Sequence, residues 1–446
     1  MSSNWPIKRL GDYSLKIGSG ATPKGGKSGY LDDGPYNLIR SQNIYNTGFS
    51  ANGLVNISEA QAKKLNSVAV ESGDILLNIT GDSVARVCQV PEKYLPARVN
   101  QHVAIIRPDP HIFDTKFLRY FLASPMQQSY MLQLAASGAT RNALTKSMIE
   151  NFLIPCPPIR EQQAIANILG AFDDKIEINC HMNETLETIA HTLFKNWFID
   201  FEPVRAKMEG HWRRGESMRG LTAHFYDLFP AEFVESELGL IPRDWNVKQV
   251  ADIGKIICGK TPATKQPEYY GNEIPFITIP DMHGKIFSVT TQKNLSQVGA
   301  ATQPNKTLPP YTICVSCIAT PGLVIITSKE AQTNQQINSV VPNNQSETVF
   351  WYWVFRHLAD EIRASGSGGS VLSNLSTSRF SRLNVLAPPK ELIRLYSIKC
   401  QALFESILCN EKETLTLATL RDTLLPKLIS GEIRLKYLEK IIGDAT

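Results

Sequence analysis

The sequence predicts an α+β protein made of two mixed, strand-rich domains in tandem pseudo-repeat, each followed by a long α-helix. Segments of the first half return in the same order in the second half. Each copy contains short apolar runs separated by Gly, Pro and Asn, which is typical of strands and turns. Each copy then continues through Pro-Pro into a heptad pattern. With 446 residues, 43% of them hydrophobic, the chain is long enough for several domains.

The repeat is visible as matched segments in the same order. The matches are "WPIKRLGD" (5–12) with "WNVKQVAD" (245–252), "GSGATPK" (18–24) with "CGKTPA" (258–263), "GPYNLIRSQNI" (34–44) with "EIPFITIPDM" (273–282), and "VNQHVAIIRP" (99–108) with "TNQQINSVVP" (333–342). From Gly138 onward the offset is a constant 231, so that Leu144 matches Leu375. Several ordered matches indicate duplication of one unit of about 200 residues.

A heptad pattern follows each Pro-Pro pair and predicts two long helices. The predicted seam positions are Ile165, Leu169, Phe172, Ile176, Asn179, Asn183, Leu186, Ala190, Leu193 and Trp197 in the first, and Tyr396, Cys400, Leu403, Ile407, Asn410, Thr414, Leu417, Arg421, Leu424 and Leu428 in the second. Asn179 and Asn410 occupy equivalent seam positions, where a polar residue fixes helix register. The pair favours packing of the two helices on each other; two unrelated amphipathic helices are the alternative. Pro426 is expected to end or kink the second helix near Leu425.

These patterns divide the chain into six segments. They are a first globular domain (1–158), a first long helix (159–200), a central linker (201–244), a second globular domain (245–389), a second long helix (390–430) and a C-terminal tail (431–446). The linker is polar and punctuated by Gly and Pro, so we expect a surface connection rather than a third domain.

The charge distribution points to a polyanionic partner. Residues 1–158 carry 16 basic and 11 acidic side chains, and 245–389 carry 12 and 8, whereas 159–200 carry 3 and 7. Two separate basic blocks are expected if each approaches DNA, although an ordinary solvated surface has the same composition. Two unlike basic units held at a fixed distance would read two unlike half-sites with a defined gap.

The remaining bulk features favour a cytoplasmic protein without a membrane segment. The opening "MSSNWPIKRLGD" lacks the apolar core of a secretory signal, and the apolar runs are shorter than the roughly 20 residues of a spanning helix. The eight cysteines have no framework spacing, which indicates reduced thiols.

The stretch "GKIICGKT" (254–261) fits the P-loop pattern and raises the alternative of a catalytic subunit. However, the first copy has "KIGSGATP" at this place, "KII" is typical of a strand, and Pro262 stands where a helix should begin. An adenine methyltransferase needs Asn or Asp before Pro-Pro-Tyr/Phe to hold the target amino group. The near match "LPPY" (308–311) has Leu308 at that place, which cannot accept the hydrogen bond.

No metal centre is predicted either. Cys314 and Cys317 have zinc spacing but lack a second pair of ligands, and we interpret them as core thiols. The "DDK" at 173–175 lies on the heptad helix and is interpreted as a solvated helix face.

The ordered set of motifs resembles the specificity subunit of a type I restriction–modification enzyme. The features that carry the resemblance are the Gly…Thr-Pro openings (Gly20, Thr22, Pro23; Gly259, Thr261, Pro262), the Asn-Gln pairs (100–101, 334–335), "PPIREQQAIANILGAFDDKIEIN" after the first domain, and "WFIDFEPVRAKMEG" at 197–210. The resemblance covers nearly the whole chain.

The resemblance implies two target recognition domains whose long helices form an antiparallel coiled coil that sets the spacer. The chain would bind double-stranded DNA with a bipartite, asymmetric site. It would dock two adenine-N6 methyltransferase subunits and, through them, motor-nuclease subunits. The resemblance implies no cofactor in this chain, and S-adenosylmethionine, ATP and magnesium would belong to the partner subunits. The chain itself is expected to be non-catalytic.

Base-reading residues are expected where the two copies differ, because shared residues serve the common scaffold. The Asn-Gln pairs, Thr22 and Thr261 are therefore expected to be structural or phosphate-facing. The predicted DNA-binding residues lie in unlike loops at matching places and are Lys24, Lys27, Arg40, Gln42, Asn43, Thr80, Asp82, Ser83, Arg86, Arg141, Asn142, Lys260, Lys265, Asp281, Thr320 and Asn374. Among these, the Arg and Gln side chains suit base edges and the Lys side chains suit phosphate.

Two rival functions stay open at this point. One is a catalytic subunit with its own P-loop ATPase or methyltransferase activity. The other is a repeat-built DNA or protein scaffold outside restriction.

Overall fold

The computed structural model describes residues 5–23, 26–137, 142–318, 320–365 and 375–434, with the backbone only at 27, 28 and 360–365. Contacts divide the chain into two compact units. Unit 1 consists of Met1–Lys175 and Leu417–Thr446, and unit 2 consists of Ile176–Thr416.

Among its described residues, unit 1 contains short strands and, apart from the long helices, four short α-helices. The strands are β1 (Ile7–Arg9), β2 (Ser14–Ser19), β3 (Tyr36–Ile39), β4 (Ile44–Tyr45), β5 (Gly48–Phe49), β6 (Val55–Ile57), β7 (Ala69–Val70), β8 (Ile75–Asn78), β9 (Val87–Gln89), β10 (Ala97–Val99), β11 (Val103–Pro108) and β12 (Leu153–Pro155). The helices are α1 (Glu59–Lys64), α2 (Thr115–Ala123), α3 (Pro125–Ala136) and α4 (Lys146–Glu150).

The long helix α5 (Ile159–Phe198) follows, and then the elements of unit 2. The helices are α6 (Glu202–Met208), α7 (Val250–Ile253), α8 (Gln297–Ala301), α9 (Thr348–Ser365) and α10 (Thr377–Ser381). The strands are β13 (Phe233–Ser236), β14 (Gly239–Pro242), β15 (Asn246–Gln249), β16 (Gly254–Cys258), β17 (Tyr270–Gly271), β18 (Ile274–Ile277), β19 (Phe287–Ser288), β20 (Lys293–Leu295), β21 (Ile313–Ser316), β22 (Val324–Thr327), β23 (Gln332–Thr333), β24 (Ile337–Pro342) and β25 (Asn384–Ala387). The second long helix is α11 (Lys390–Ile429).

The central sheet of unit 1, in the order β2-β11-β8-β9, lies between two hydrophobic cores. On β11, Ala104 and Ile106 face one core, while Val103 and Ile105 face the other. Because successive side chains of a strand point to opposite faces, burial of both faces explains the nearly continuous apolar run of this strand. The second sheet, β6-β3-β10-β7, is mixed because β3 and β10 are parallel.

Unit 2 repeats this topology. The order β16-β24-β21-β22 matches β2-β11-β8-β9, and the β15–β25 pair matches the β1–β12 pair. The mixed sheet recurs as β17-β20-β18-β23, in which β18 and β23 are parallel. The duplication predicted from the sequence is therefore confirmed by the fold, and the mixed strand and helix content agrees with the α+β class.

Each long helix begins just after a Pro-Pro pair and has 40 residues, which corresponds to about 60 Å at 1.5 Å per residue. Of the two effects expected of Pro426, an end or a kink, the end near Leu425 is not found, because α11 continues to Ile429. Leu425, Leu428 and Ile429 are buried in the core of unit 1. This burial stabilises the last turn of the helix, although Pro426 has no N–H to donate to the preceding turn.

The central segment 201–244 is more than the surface connection expected from its composition. It forms α6 and the β13–β14 hairpin, and its side chains Val204, Trp212 and Phe229 are buried in the core of unit 2. Gly210, Gly215 and Gly220 adopt positive φ in turns of this segment. The aromatic side chains Trp212 and Phe229 provide much of the burial that holds the segment in place.

Over the described part of the chain, we find no helix that combines the length and the apolar character needed to span a bilayer.

Candidate nucleic-acid interface

A glycine after the first strand of the central sheet brings a loop against a second strand end in both units. In unit 1, Gly20 donates its N–H to the carbonyl of Val103 (3.3 Å), and a Cβ at Gly20 would overlap the carbonyl of Val99. In unit 2, Gly259 donates to Ile337 (3.1 Å), and a Cβ there would overlap the carbonyl of Asn334. Only glycine permits this approach of two backbones.

The Thr-Pro turns that follow are held by the Asn-Gln pairs. Thr22 donates its hydroxyl to Oε1 of Gln101, and Thr261 donates to Oε1 of Gln335 at 2.7 Å.

The asparagine of each pair is buried and its Oδ1 accepts a backbone N–H two residues on, from His102 (3.0 Å) in unit 1 and Gln336 (3.1 Å) in unit 2. These contacts agree with the structural role predicted for the shared residues. The hydroxyls and the glutamine amides remain at the surface.

The loop between β8 and β9 extends this surface in unit 1. Thr80 Oγ1 lies 2.6 Å from Nδ1 of His102, and the guanidinium of Arg86 lies 4.9 Å from the ring centroid of Tyr45. Asp82 is exposed and Ser83 is half-buried. Stacking on an aromatic ring holds a guanidinium in a defined plane and leaves its edge available for a bidentate contact.

Arg40 and Gln42 follow the end of β3 and converge on one carbonyl. The guanidinium of Arg40 and the amide of Gln42 (3.3 Å) both donate to the carbonyl of Gly53, and Arg40 lies 5.4 Å from the ring of Tyr30. Gln42 is exposed. Part of the donor capacity of Arg40 is thus already used within the protein.

These loops lie at one edge of the mixed sheet. Because β3 and β10 are parallel, the loop that begins at Arg40 and the loop that begins at Asn100 meet there. Asn78, at the end of β8, donates to the carbonyl of Ser41 (2.8 Å) and joins the β8–β9 loop to them. Gly81 donates to the carbonyl of Asn142 (3.4 Å), so this exposed asparagine also borders the edge. We call residues 20–23, 40–42, 80–86, 100–102 and 142 the first loop face.

Two predicted DNA-binding residues are corrected by the structure, because they are buried. Asn43 accepts the N–H of Arg40 (3.0 Å) and donates to the carbonyls of Ser50 and Asn52. At the equivalent place in unit 2, Asp281 accepts the backbone N–H groups of Thr278 (2.8 Å) and Gln292 (2.7 Å).

Asn43 and Asp281 thus cap the same turn in both copies. A buried polar side chain that is saturated by backbone groups is unavailable to DNA, so the structure contradicts the predicted DNA contact of both residues.

Unit 2 has a comparable edge, formed by the ends of β18 and β23, which we call the second loop face (259–262, 278–282 and 334–336). Lys260 has an exposed side chain and an anchored backbone, since its N–H donates to Thr333 (2.9 Å) and its carbonyl accepts from Gln303 (2.7 Å). Lys265 and Thr320 are exposed. Lys24, Arg141 and Asn374 lie outside the described residues, as does the side chain of Lys27.

The helix-register prediction can be followed inside unit 2. Asn179 is fully buried and donates to Glu413 Oε2 (2.8 Å) and Thr414 Oγ1 (3.5 Å), while Asn410 donates to Asn183 Oδ1 (2.8 Å). The two predicted asparagines therefore do not pair with each other. Each contacts the next polar seam position of the other helix, and the contact order 179–414 and 183–410 is antiparallel.

The predicted solvated face at "DDK" is wrong for Asp173. Its carboxylate accepts hydrogen bonds from Tyr120 (2.6 Å), Arg119 (2.9 Å) and Arg421 (2.7 Å) inside unit 1. Burial by itself would raise the pKa of Asp173, but the hydrogen bonds from Tyr120 and Arg119 and the guanidinium charges outweigh it and lower the pKa. No sequence signal pointed to this site, because its members lie far apart in the chain.

The features that suggested catalysis have structural roles. Residues 254–258 of "GKIICGKT" form strand β16, as expected, instead of a glycine-rich turn. Cys314 and Cys317 are buried, and burial raises the pKa of their thiols to about 12 and about 11. Among the residues that the structure describes, no group of three or more His, Cys, Asp or Glu side chains could hold a metal ion.

Together, these features define a duplicated α+β protein that presents an equivalent polar loop face from each copy. The sequence model of the "Type I restriction modification DNA specificity domain" matches residues 2–188 and 242–392. The chain belongs to this family and carries two copies of its domain.

Individual relatives agree with this assignment. The specificity subunit of type I restriction enzyme HindI of Haemophilus influenzae is 35% identical, over 97% of this chain and 100% of the relative. The specificity subunit of type I restriction enzyme MjaIX of Methanocaldococcus jannaschii is 28% identical, over 98% of this chain and 95% of the relative. The solved structure of the S subunit from the type I system of M. genitalium has 17% identity, covers 95% of this chain and 96% of its own, and has a TM-score of 0.56, which shows a shared fold. The alternative of a catalytic subunit has no support in these comparisons.

Proposed function

We propose that this chain is the DNA-recognition subunit of a type I restriction–modification complex and reads a bipartite, asymmetric site. The single observation that carries the proposal is the pair of loop faces on one repeated scaffold. Gly20 and Gly259, with the Thr–Gln hydrogen bonds beside them, hold both faces in the same way. Exposed side chains at matching places differ, which is what two readers of unlike sequences require.

The long helices are proposed to form an antiparallel coiled coil that fixes the distance between the two readers. The contacts of Asn179 and Asn410 support one register, because each amide needs its partner on the other helix. A fixed separation on a helical duplex selects a fixed gap between half-sites.

The chain is proposed to act without catalysis of its own. It would deliver two adenine-N6 methyltransferase subunits, and motor-nuclease subunits through them, to the recognised site. S-adenosylmethionine, ATP and magnesium would be bound by those partners. We assign the complex to the cytoplasm, where the DNA that it modifies is found.

The test is a map of methylated bases. The chain is co-expressed with its cognate adenine methyltransferase, and host DNA is sequenced by a method that detects N6-methyladenine. We expect a motif with two unlike halves and one gap length, and exchange of residues 245–389 for those of a relative should change only one half. An uninterrupted motif would overturn the two-reader proposal.

A further inference from the structure

Unit 2 contains a polar cleft of about 470 Å³ beside the second loop face. Its wall consists of strand β20 and its neighbour β17, together with the loop before β17, and the polar side chains that line it belong to Thr264, Tyr270, Asn272, Gln292, Lys293 and Asn294. None of these residues is among the predicted DNA-binding set.

Strand register places the cleft at the reading edge. Lys293, the first residue of β20, pairs with Phe276 near the end of β18, and Asn294 pairs with Gly271 at the end of β17. Both β17 and β18 run antiparallel to β20, so their carboxyl ends and the start of β20 meet at one edge. Tyr270 donates its hydroxyl to the carbonyl of Pro262 (3.1 Å), which ties the cleft to the Thr-Pro turn of the second loop face.

The polar groups of the cleft retain unused hydrogen-bonding capacity. Asn294 Oδ1 accepts from Thr291 (2.9 Å), which leaves its amide NH₂ to point elsewhere. Within the described residues, the side chains of Gln292, Lys293 and Asn272 have no hydrogen bond or ion pair. The nearby carboxylate of Glu273 accepts the backbone N–H of Asn272 (2.9 Å).

The comparison with unit 1 shows why unit 2 needs polar groups here. In unit 1, Arg40 and Gln42 follow the first parallel strand of the mixed sheet and supply donors at the edge. The turn that Asp281 caps in unit 2 begins with Thr278 and contains Pro280, neither of which has an amide or guanidinium side chain. In unit 2 the amides of Gln292 and Asn294, just before and at the start of β20, lie at this edge in addition to those of residues 334–336.

We propose that Gln292 and Asn294 read base edges in the second half-site, with adenine as the preferred base, and that Lys293 contacts the adjoining phosphate. Gln292 directly precedes β20 and Asn294 is the second residue of that strand, and both side chains line the same cleft, so the two amides act together. A carboxamide offers the donor and acceptor that match N7 and N6 of adenine in the major groove. An ammonium group suits phosphate as a point charge.

This inference rests on the proposed function and is tested in the assembled methyltransferase complex. Gln292→Glu and Asn294→Asp retain the shape of the side chains but remove the NH₂ donor. We expect one or two positions of the second half-site to be relaxed by about 10- to 100-fold in relative methylation rate, with the first half-site unchanged. Lys293→Ala should weaken binding to all sequences alike and lower the slope of log affinity against log salt by about 1.

Lys329→Ala, at an exposed position of the same unit, is the matched control for charge and is expected to leave the motif intact. Thermal unfolding of each complex establishes that the variants are folded. Gln292→Glu and Asn294→Asp are used in place of alanine because they keep the size of the side chain. A motif unchanged in both halves by Gln292→Glu and Asn294→Asp would overturn the inference while leaving the proposed function standing. A wild-type complex without a bipartite motif would instead defeat the proposed function.

Discussion

Asp173 and Arg421 are joined by a hydrogen bond of 2.7 Å although 248 residues separate them in the chain. Arg119 and Tyr120, on α2, bind the same carboxylate. One acidic side chain thus connects the first long helix, the second long helix and the globular part of unit 1. Its removal should affect all three elements together.

Asp173→Asn is expected to destabilise unit 1 by about 1–3 kcal/mol at neutral pH, because two guanidinium groups lose their half-buried counter-charge. The pKa of Asp173 is lowered in the folded protein. The stability that it contributes is therefore present above the ordinary pKa of 3.8 and is lost as the pH falls through the lower, folded value. Thermal unfolding between pH 3 and pH 8 measures this, with the exposed Asp174→Asn as control. Equal loss of stability in both variants would contradict the assignment.

Glu411 gives the opposite pH dependence in unit 2. Its Oε1 accepts from the backbone N–H groups of Ile286 (3.2 Å) and Phe287 (3.4 Å), while Oε2 is buried without a partner among the described residues. Burial raises the pKa of Glu411 to about 7. A carboxyl group whose pKa is raised in the folded state adds to the free energy of unfolding below its ordinary pKa of 4.5. That contribution is lost as the pH rises through 7.

We therefore expect Glu411→Gln to become more stable than the wild type as the pH rises from 5 to 8, by up to about 3 kcal/mol. Denaturant unfolding at several pH values is the measurement. Glu405→Gln, exposed on the same helix, should show no such dependence. A pH-independent difference between Glu411→Gln and the wild type would refute the role given to this carboxylate.

Gly20→Ala is expected to disrupt the first loop face, because the added Cβ would overlap the carbonyl of Val99. Recognition of the first half-site should fall by more than tenfold, and Gly259→Ala should do the same to the second. Gly18→Ala is the matched control, since nothing lies within 4 Å of a Cβ built there. The measurement is the methylation rate on sites altered in one half at a time, and equal loss in both halves would argue against separate faces.

Asn183→Leu should cost about 1–2 kcal/mol, because it leaves the half-buried amide of Asn410 without its acceptor. Asn183→Leu combined with Asn410→Leu should restore most of that stability and relax the register of the helices. A map of methylated bases should then contain more than one gap length. Met182→Leu, at an exposed neighbour, should leave a single gap. A double variant that is stable and keeps one gap would show that these amides do not set the spacing.

Arg86→Ala is expected to weaken specific DNA binding by about 1–3 kcal/mol and to relax one position of the first half-site. Arg86→Lys keeps the charge but loses the planar donor pair that Tyr45 supports, so it should retain affinity and lose discrimination. Arg213→Ala removes an exposed arginine from the central segment and serves as control. Unchanged affinity and motif in Arg86→Ala would remove this residue from the reading surface.

The sequence predicted the repeated fold well because duplication repeats the whole pattern of strands, turns and Pro-Pro junctions. It failed where burial depends on contacts between distant segments. Asp173 looked solvated on its own helix, since Tyr120 and Arg421 come from other elements. Asn43 and Asp281 were predicted to contact DNA because they lie in unlike loops, and only the structure shows that backbone groups saturate their side chains.

The site was harder to predict than the scaffold for a related reason. Matching loops can be aligned only where the copies keep similar lengths. The proposed readers Gln292 and Asn294 lie at the start of β20, whereas Arg40 and Gln42 of unit 1 follow β3, so position-by-position comparison of the loops missed Gln292 and Asn294.

The loop faces are held largely by backbone groups, as in the contacts of Gly20 with Val103, Gly259 with Ile337 and Lys260 with Thr333. Away from Gly20 and Gly259, where a Cβ would collide with backbone, such a main-chain hydrogen bond does not depend on which exposed side chain stands beside it. Exposed positions can therefore accept new residues at little cost in stability, so the recognised DNA sequence can change by mutation while the fold stays the same. In such a protein, DNA specificity can diverge faster than the fold.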